Sequence, residues 1–219
     1  MKINEDLSRR AVMHTERMEW SPSPAAGVER KMLDRDGEEV ARATTIVRFR
    51  PDSTFPEHTH VGGEEFLVLE GTFCDEMGDF GPGTYVRNPI GSKHSPSTPQ
   101  GCVILVKLCQ MSDADEAAVV IDTRGGDWQE IPEGVLVQEL FRSAVSAESV
   151  FMERWATGLE VERSYPGGVE YFVLEGDLSD GDGDYGAGTW LRLPARASHR
   201  MHCHQAALVW TKRGHLVPD

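Results

Sequence analysis

The sequence predicts an all-β protein built as two small barrels in tandem. Three observations carry this. Gly and Pro are frequent, 22 and 12 in 219 residues, so the chain must turn often. Short apolar runs are punctuated by glycines. The chain also repeats itself, and the repeat organises the rest of the reading.

Sliding the sequence by 105 positions lays residues 58–94 on 163–199 without a gap. Gly62-Gly63 meets Gly167-Gly168, and Val68-Leu69-Glu70-Gly71 meets Val173-Leu174-Glu175-Gly176. Gly83-Thr84 meets Gly188-Thr189, while Arg87, Pro89 and His94 meet Arg192, Pro194 and His199. Sixteen of the 37 pairs are identical, against roughly two expected from average residue usage. Lys107 and Lys212 fall at the same offset, and upstream Trp20 and Gly27-Val28 answer Trp128 and Gly134-Val135 more loosely. The chain is a duplication.

In the first copy, residues 4–10 carry a weak helical signal. Strands are expected over 44–50, 66–69, 84–87 and 103–108, the first by alternation and the second as an apolar run ending at Glu70-Gly71. A turn or two of helix is expected at 113–118. The polar, acidic stretch 113–127, with Gly125-Gly126, marks the seam, giving domains 1–122 and 123–219. The second copy offers strands over 151–155, 171–174, 190–193 and 207–211. About a hundred residues of short strands per copy is the size of a sandwich or small barrel.

The net charge of -14 excludes a direct nucleic-acid partner, since phosphate binding draws on clustered Lys and Arg. Cys74, Cys102, Cys109 and Cys203 show no CxxC spacing, so neither a disulfide framework nor a thiolate zinc site is expected. The acids of Met1-Lys2-Ile3-Asn4-Glu5-Asp6 do not fit a signal peptide. The longest apolar stretch, 102–109, is too short to cross a membrane and contains Lys107. The expectation is a cytoplasmic protein with no membrane partner.

His58 and His60 are two apart, so on a strand both imidazoles leave one face. Glu64 shares their parity beyond the Gly62-Gly63 turn, and His94 follows Pro89-Ile90-Gly91 some way on. Three imidazoles and a carboxylate suit one divalent Zn, Fe, Mn, Ni or Co ion. In the second copy His58, His60 and Glu64 become Arg163, Tyr165 and Val169 together, while Glu65 persists as Glu170. That coordinated loss assigns Glu64, not Glu65, to the ligand set. Glu65 and Glu170 then serve the fold or support the ligands.

These residues resemble the two motifs of the cupin superfamily. HxHxxxE is here His58-Thr59-His60-Val61-Gly62-Gly63-Glu64, followed after six residues by Gly71, and PxGxxH is Pro89-Ile90-Gly91-Ser92-Lys93-His94. The GGEE run, the VLEG strand end and the TYVRNP segment are similar to the ChrR-type cupins over nearly the whole chain. The resemblance implies two tandem cupin jelly-roll barrels (double-stranded β-helices). The first would hold a metal through His58, His60, Glu64 and His94, and the second would be degenerate.

The family's namesake is a zinc-dependent anti-sigma factor that responds to singlet oxygen. It binds its sigma factor through an amino-terminal helical domain with an HxxxCxxC motif, which this sequence lacks. Sigma-factor sequestration by that route is therefore not expected. Two functions stay open: a zinc-binding sensing or regulatory module related to oxidative-stress signalling, and a metal-dependent enzyme such as a dioxygenase acting on a small chelating substrate. A small-molecule ligand fits either, and edge strands pairing between chains would give a homodimer. The remaining signals are read plainly. His202 and His204 are not expected to form a second metal site. Arg163 and Tyr165 read as packing or as pocket lining. Lys107 and Lys212 read as structural contacts, and Asp75, Asp79, Asp180, Asp182 and Asp184 as ordinary turn residues.

Overall fold

The computed structural model describes residues 1–38 and 40–216. Antiparallel strands dominate, and no α-helix occurs among the described residues. The chain forms two units: Met1–Glu5 with Glu19–Gly125, and Asp6–Met18 with Gly126–Asp219.

In the first unit the main sheet runs Lys2–Ile3, Val28–Gly37, Ala41–Phe49, Cys102–Leu108, Glu64–Gly71, Thr84–Asn88, Val119–Asp122. A smaller sheet joins Gly78–Phe80, Phe73–Asp75, Ser97–Thr98 and Ser53–Thr54, and a short pair joins His58–Thr59 to Lys93–His94. Phe66, Val68, Phe73, Phe80, Val86, Ile104 and Val106 fill the space between them. The alternation in these strands puts one row of side chains into this core and the next row on the opposite face. The second unit repeats the order with Leu136–Arg142, Ser149–Trp155, Ala197–Arg213, Val169–Asp180, Thr189–Leu193 and Ala11–His14. Its core includes Val169, Tyr171, Val173, Leu191, Leu193 and Val209. Each unit is a cupin barrel.

The strand at the end of each main sheet has an unexpected origin. Val119–Asp122 pairs with Thr84–Asn88, whereas Ala11–His14 pairs with Thr189–Leu193. These two strands lie 108 residues apart, the offset that also relates Trp20 to Trp128, so they are copies of one element. The sequence reading contained no such excursion of the amino terminus into the second unit.

Strands begin earlier than residue 40, since Val28–Gly37 pairs along Ala41–Phe49 despite its charged sequence. The helices expected at 4–10 and 113–118 are turns. Asp6 Oδ1 accepts the Ser8 N–H at 3.0 Å, and Ser112 Oγ accepts the Ala114 N–H at 3.3 Å. Such local side-chain bonds compete with a helix for the same backbone groups. The cysteines are free, with Cys102 and Cys203 buried. No helix among the described residues is long and apolar enough to cross a membrane.

Candidate metal centre

The four expected residues converge in the first unit. His58–Thr59 pairs antiparallel with Lys93–His94, and His58 stands directly opposite His94, which sets their imidazoles side by side. The pairing extends past the strand: the His60 N–H donates to Ser92 O at 3.0 Å, and the Gly91 N–H donates to His60 O at 2.9 Å. The chain then turns at Gly62-Gly63. Gly63 has φ +74°, and a Cβ on Gly62 would lie 2.6 Å from Cys109 Cα, so neither position takes a side chain without displacement. This turn starts the Glu64–Gly71 strand with Glu64 on the same row as Phe66 and Val68.

One nitrogen or oxygen from each of His58, His60, Glu64 and His94 lies within 4.8 Å of all the others. Nε2 of His94 is 3.2 Å from Nε2 of both His60 and His58. Glu64 Oε1 is 3.6 Å from Nε2 of both His60 and His94. Donors about 2.1 Å from one ion sit about 3.0 Å apart at a right angle and about 3.4 Å apart at the tetrahedral angle, so these separations match a shared divalent ion. His60, Glu64 and His94 are buried and His58 is exposed, which leaves one side of the cluster facing solvent.

The outward nitrogens explain why these atoms converge. His60 Nδ1 lies 2.8 Å from Ser92 Oγ, whose hydroxyl donates to Pro89 O at 2.6 Å; the serine oxygen must therefore accept from His60. His94 Nδ1 lies 3.1 Å from Asp75 Oδ2, and His58 Nδ1 lies 3.2 Å from Pro56 O. All three Nδ1 partners are acceptors, so each ring carries its proton on Nδ1 and turns an Nε2 lone pair inward. Three lone pairs facing each other repel unless a cation sits among them.

The electrostatics agree. Burial, with the neighbouring His94 and His58, pulls His60 down to about 4, and burial also lowers His94 against the pull of Asp75. Burial pushes Glu64 up to about 7 despite a hydrogen bond from Asn88 Nδ2 at 3.3 Å. The cavity disfavours protonated imidazoles and a bare carboxylate alike, and a divalent ion relieves both penalties.

Asp75, Ser92 and Asn88 are supporting residues that the sequence reading missed. In the sequence Asp75 reads as a turn residue, yet its side chain is 2% exposed and faces His94. A signal existed: Asp75 and His94 both persist in the second copy, as Asp180 and His199, and there Asp180 Oδ2 again lies 3.3 Å from His199 Nδ1.

Glu65 takes the opposite face from Glu64. It accepts from Tyr85 Oη at 2.8 Å and Arg87 Nη1 at 2.9 Å, and it stands across from Lys107, whose Nζ donates to Thr44 Oγ1 at 2.7 Å. The second unit repeats this ladder as Glu170, Trp190, Arg192 and Lys212. Glu65 and Glu170, Arg87 and Arg192, and Lys107 and Lys212 are thus kept by the fold.

In the second unit Val169 is fully buried, and His199 Nε2 faces Met201 Sδ at 3.3 Å. His202 and His204 meet edge to face with ring centroids 4.2 Å apart, and His204 Nε2 lies 2.7 Å from Ser179 Oγ. Asp180 and Asp182 pair with Arg10. Among the described residues, only the first-unit cluster gathers metal-type ligands.

The chain is similar to several solved structures. A candidate dioxygenase from Nostoc punctiforme aligns with TM-score 0.79 at 14% identity, over 97% of this chain and 85% of that one. A bacterial pirin from Escherichia coli in complex with nickel(II) gives 0.67 at 10%, over 95% and 100%. Bacillus subtilis oxalate decarboxylase, with Mn(II) centres, gives 0.63 at 13%, over 95% and 78%. At these identities the likeness speaks for the fold alone. Comparison with curated protein sequences finds no match. The ChrR Cupin-like domain matches twice, over residues 8–112 and 116–217, and the chain belongs to that family.

Proposed function

We propose that the first unit binds one divalent metal through Nε2 of His58, His60 and His94 and a carboxylate oxygen of Glu64. The observation that carries the reading is the outward commitment of all three Nδ1 protons to Pro56 O, Ser92 Oγ and Asp75. An ion held there supplies Lewis acidity to a small chelating ligand. On this reading the protein is a zinc-dependent sensing or regulatory module related to the ChrR cupin, acting through a ligand that reaches the centre on the exposed side of His58. Support comes from the side chains around the cluster. Asp75, Ser92 and Asn88 are each taken up in holding a ligand, which leaves none of the three to serve as a general base.

A second reading, a metal-dependent oxygenase, is favoured by the solvent-facing side of the cluster and the likeness to a candidate dioxygenase. The test is elemental analysis of protein purified without chelators, followed by oxygen-uptake measurements with small diketones, thiols and carboxylic acids. One zinc per chain and no uptake supports the regulatory reading. One iron or manganese with substrate-dependent uptake replaces it with the oxygenase.

A further inference from the structure

The second unit places arginine where the first has metal ligands. Arg163 occupies the His58 position of the repeat, and it is 8% exposed. Its Nη1 donates to Glu153 Oε2 at 2.9 Å, a carboxylate that is fully buried and also accepts from Trp155 Nε1 at 3.0 Å. The other oxygen of Glu153 accepts from Arg213 Nη2. Two guanidiniums thus share one fully buried carboxylate, and the second carboxylate near them, Glu133, reaches Arg163 only from a partly exposed side chain. Three donors are left over: Arg163 Nε, Arg163 Nη2 and Arg213 Nε are buried with no hydrogen-bond partner. Buried donors and charges of this kind are costly without a partner.

Arg163 and Arg213 also line a pocket of about 410 Å³, together with Glu133, Tyr165 and the Gly167-Gly168 turn. The face of the Arg163 guanidinium lies 5.1 Å from the Trp155 ring, so packing accounts for the face but not for the Nε–Nη2 edge. A carboxylate of the chain already approaches that edge: Glu133 Oε1 is 3.8 Å from Nε, too far for a hydrogen bond, on a side chain 39% exposed.

We propose that this pocket binds a small carboxylate ligand, seated on the Nε–Nη2 edge of Arg163 with Arg213 beside it and displacing Glu133 outward. The planar fork of a guanidinium edge matches the two oxygens of a carboxylate. With Glu133 displaced, Arg163, Arg213 and Glu153 leave one positive charge for a monoanion to balance, whereas Glu162 and the displaced Glu133 at the lining oppose a dianion such as phosphate.

The experiment is calorimetric titration of the full chain carrying His58→Ala and His94→Ala, so that carboxylate coordination to a metal does not contribute. Propionate and inorganic phosphate are the probes. Saturable binding of one propionate, weakened about tenfold or more by Arg163→Lys, supports the site. Lysine keeps the charge and loses the fork. Glu133→Gln removes the competing carboxylate and tightens binding. Absence of saturable propionate binding, tighter binding of phosphate, or unchanged affinity in both Arg163→Lys and Glu133→Gln overturns the proposal. The Glu133 variant leaves the buried Arg163–Glu153–Arg213 group intact, so it reads out the site even where Arg163→Lys fails to fold.

Discussion

Asp75 offers the sharpest test of how the proposed metal centre is assembled. Its carboxylate is 3.1 Å from His94 Nδ1, and its side chain is 2% exposed. The bond is therefore charge-assisted and shielded from water, which places it at the strong end for a partner that orients a metal-binding histidine. Loss of such a partner lowers metal affinity by about 10–100-fold, or about 1.4–2.7 kcal/mol. Asp75→Asn keeps an acceptor oxygen and loses only the charge, so a loss near tenfold is expected. Asp75→Ala also strands the Nδ1 proton and lets the ring turn, so a loss near a hundredfold is expected. Competition against a chromophoric chelator at fixed neutral pH measures both, with thermal unfolding of the metal-free proteins as the check on folding. Asp180→Asn, which removes the matching partner of His199, leaves metal affinity unchanged. Wild-type affinity in Asp75→Ala, alongside lost affinity in His94→Ala, would refute the reasoning.

Three further outcomes follow from the same geometry. Glu64 carries a proton below about 7 in the metal-free protein, so the metal must displace it there. Apparent affinity falls as pH drops below 7, and Glu64→Gln lessens that dependence, leaving the imidazoles' part of it, along with losing most of the affinity, as a pH series of chelator competitions will show. Glu65→Gln affects the fold instead: it removes the charged partner 2.9 Å from the fully buried Arg87, whose pairing with Asp115 is longer at 3.9 Å, and breaking the closer pair costs about 3–5 kcal/mol in denaturant unfolding, while the folded fraction keeps its metal. Gly62→Ala drives a Cβ to 2.6 Å from Cys109 Cα and destabilises by about 1–3 kcal/mol, with metal stoichiometry falling because the turn that delivers Glu64 is displaced.

What the sequence made legible depended on range. HxHxxxE and PxGxxH are local, and the copy in which three of the four proposed ligands disappear together points to Glu64 rather than Glu65 without a structure. Asp75 escaped because it lies in a hairpin rich in turn residues, where aspartate needs no further explanation; only its joint persistence with His94 pointed to a partnership. The Val28–Gly37 strand escaped because VERKMLDRDG has no apolar alternation, and its pairing with Ala41–Phe49 decides its structure. The destination of Ala11–His14 was out of reach for a different reason. Its partner, Thr189–Leu193, is more than 170 residues away, and nothing in the four residues encodes that choice. Arg163 and Tyr165 are visible as replacements, but the buried carboxylate that Arg163 shares with Arg213 is Glu153, which no motif announces.

The measurement that bears most directly on the central claim is metal content per chain in the wild type, the His58→Ala/His94→Ala double variant and His199→Ala, each purified without chelators. The account predicts one divalent ion in the wild type and in His199→Ala, and none in the double variant. One ion per chain retained by a folded double variant would contradict it.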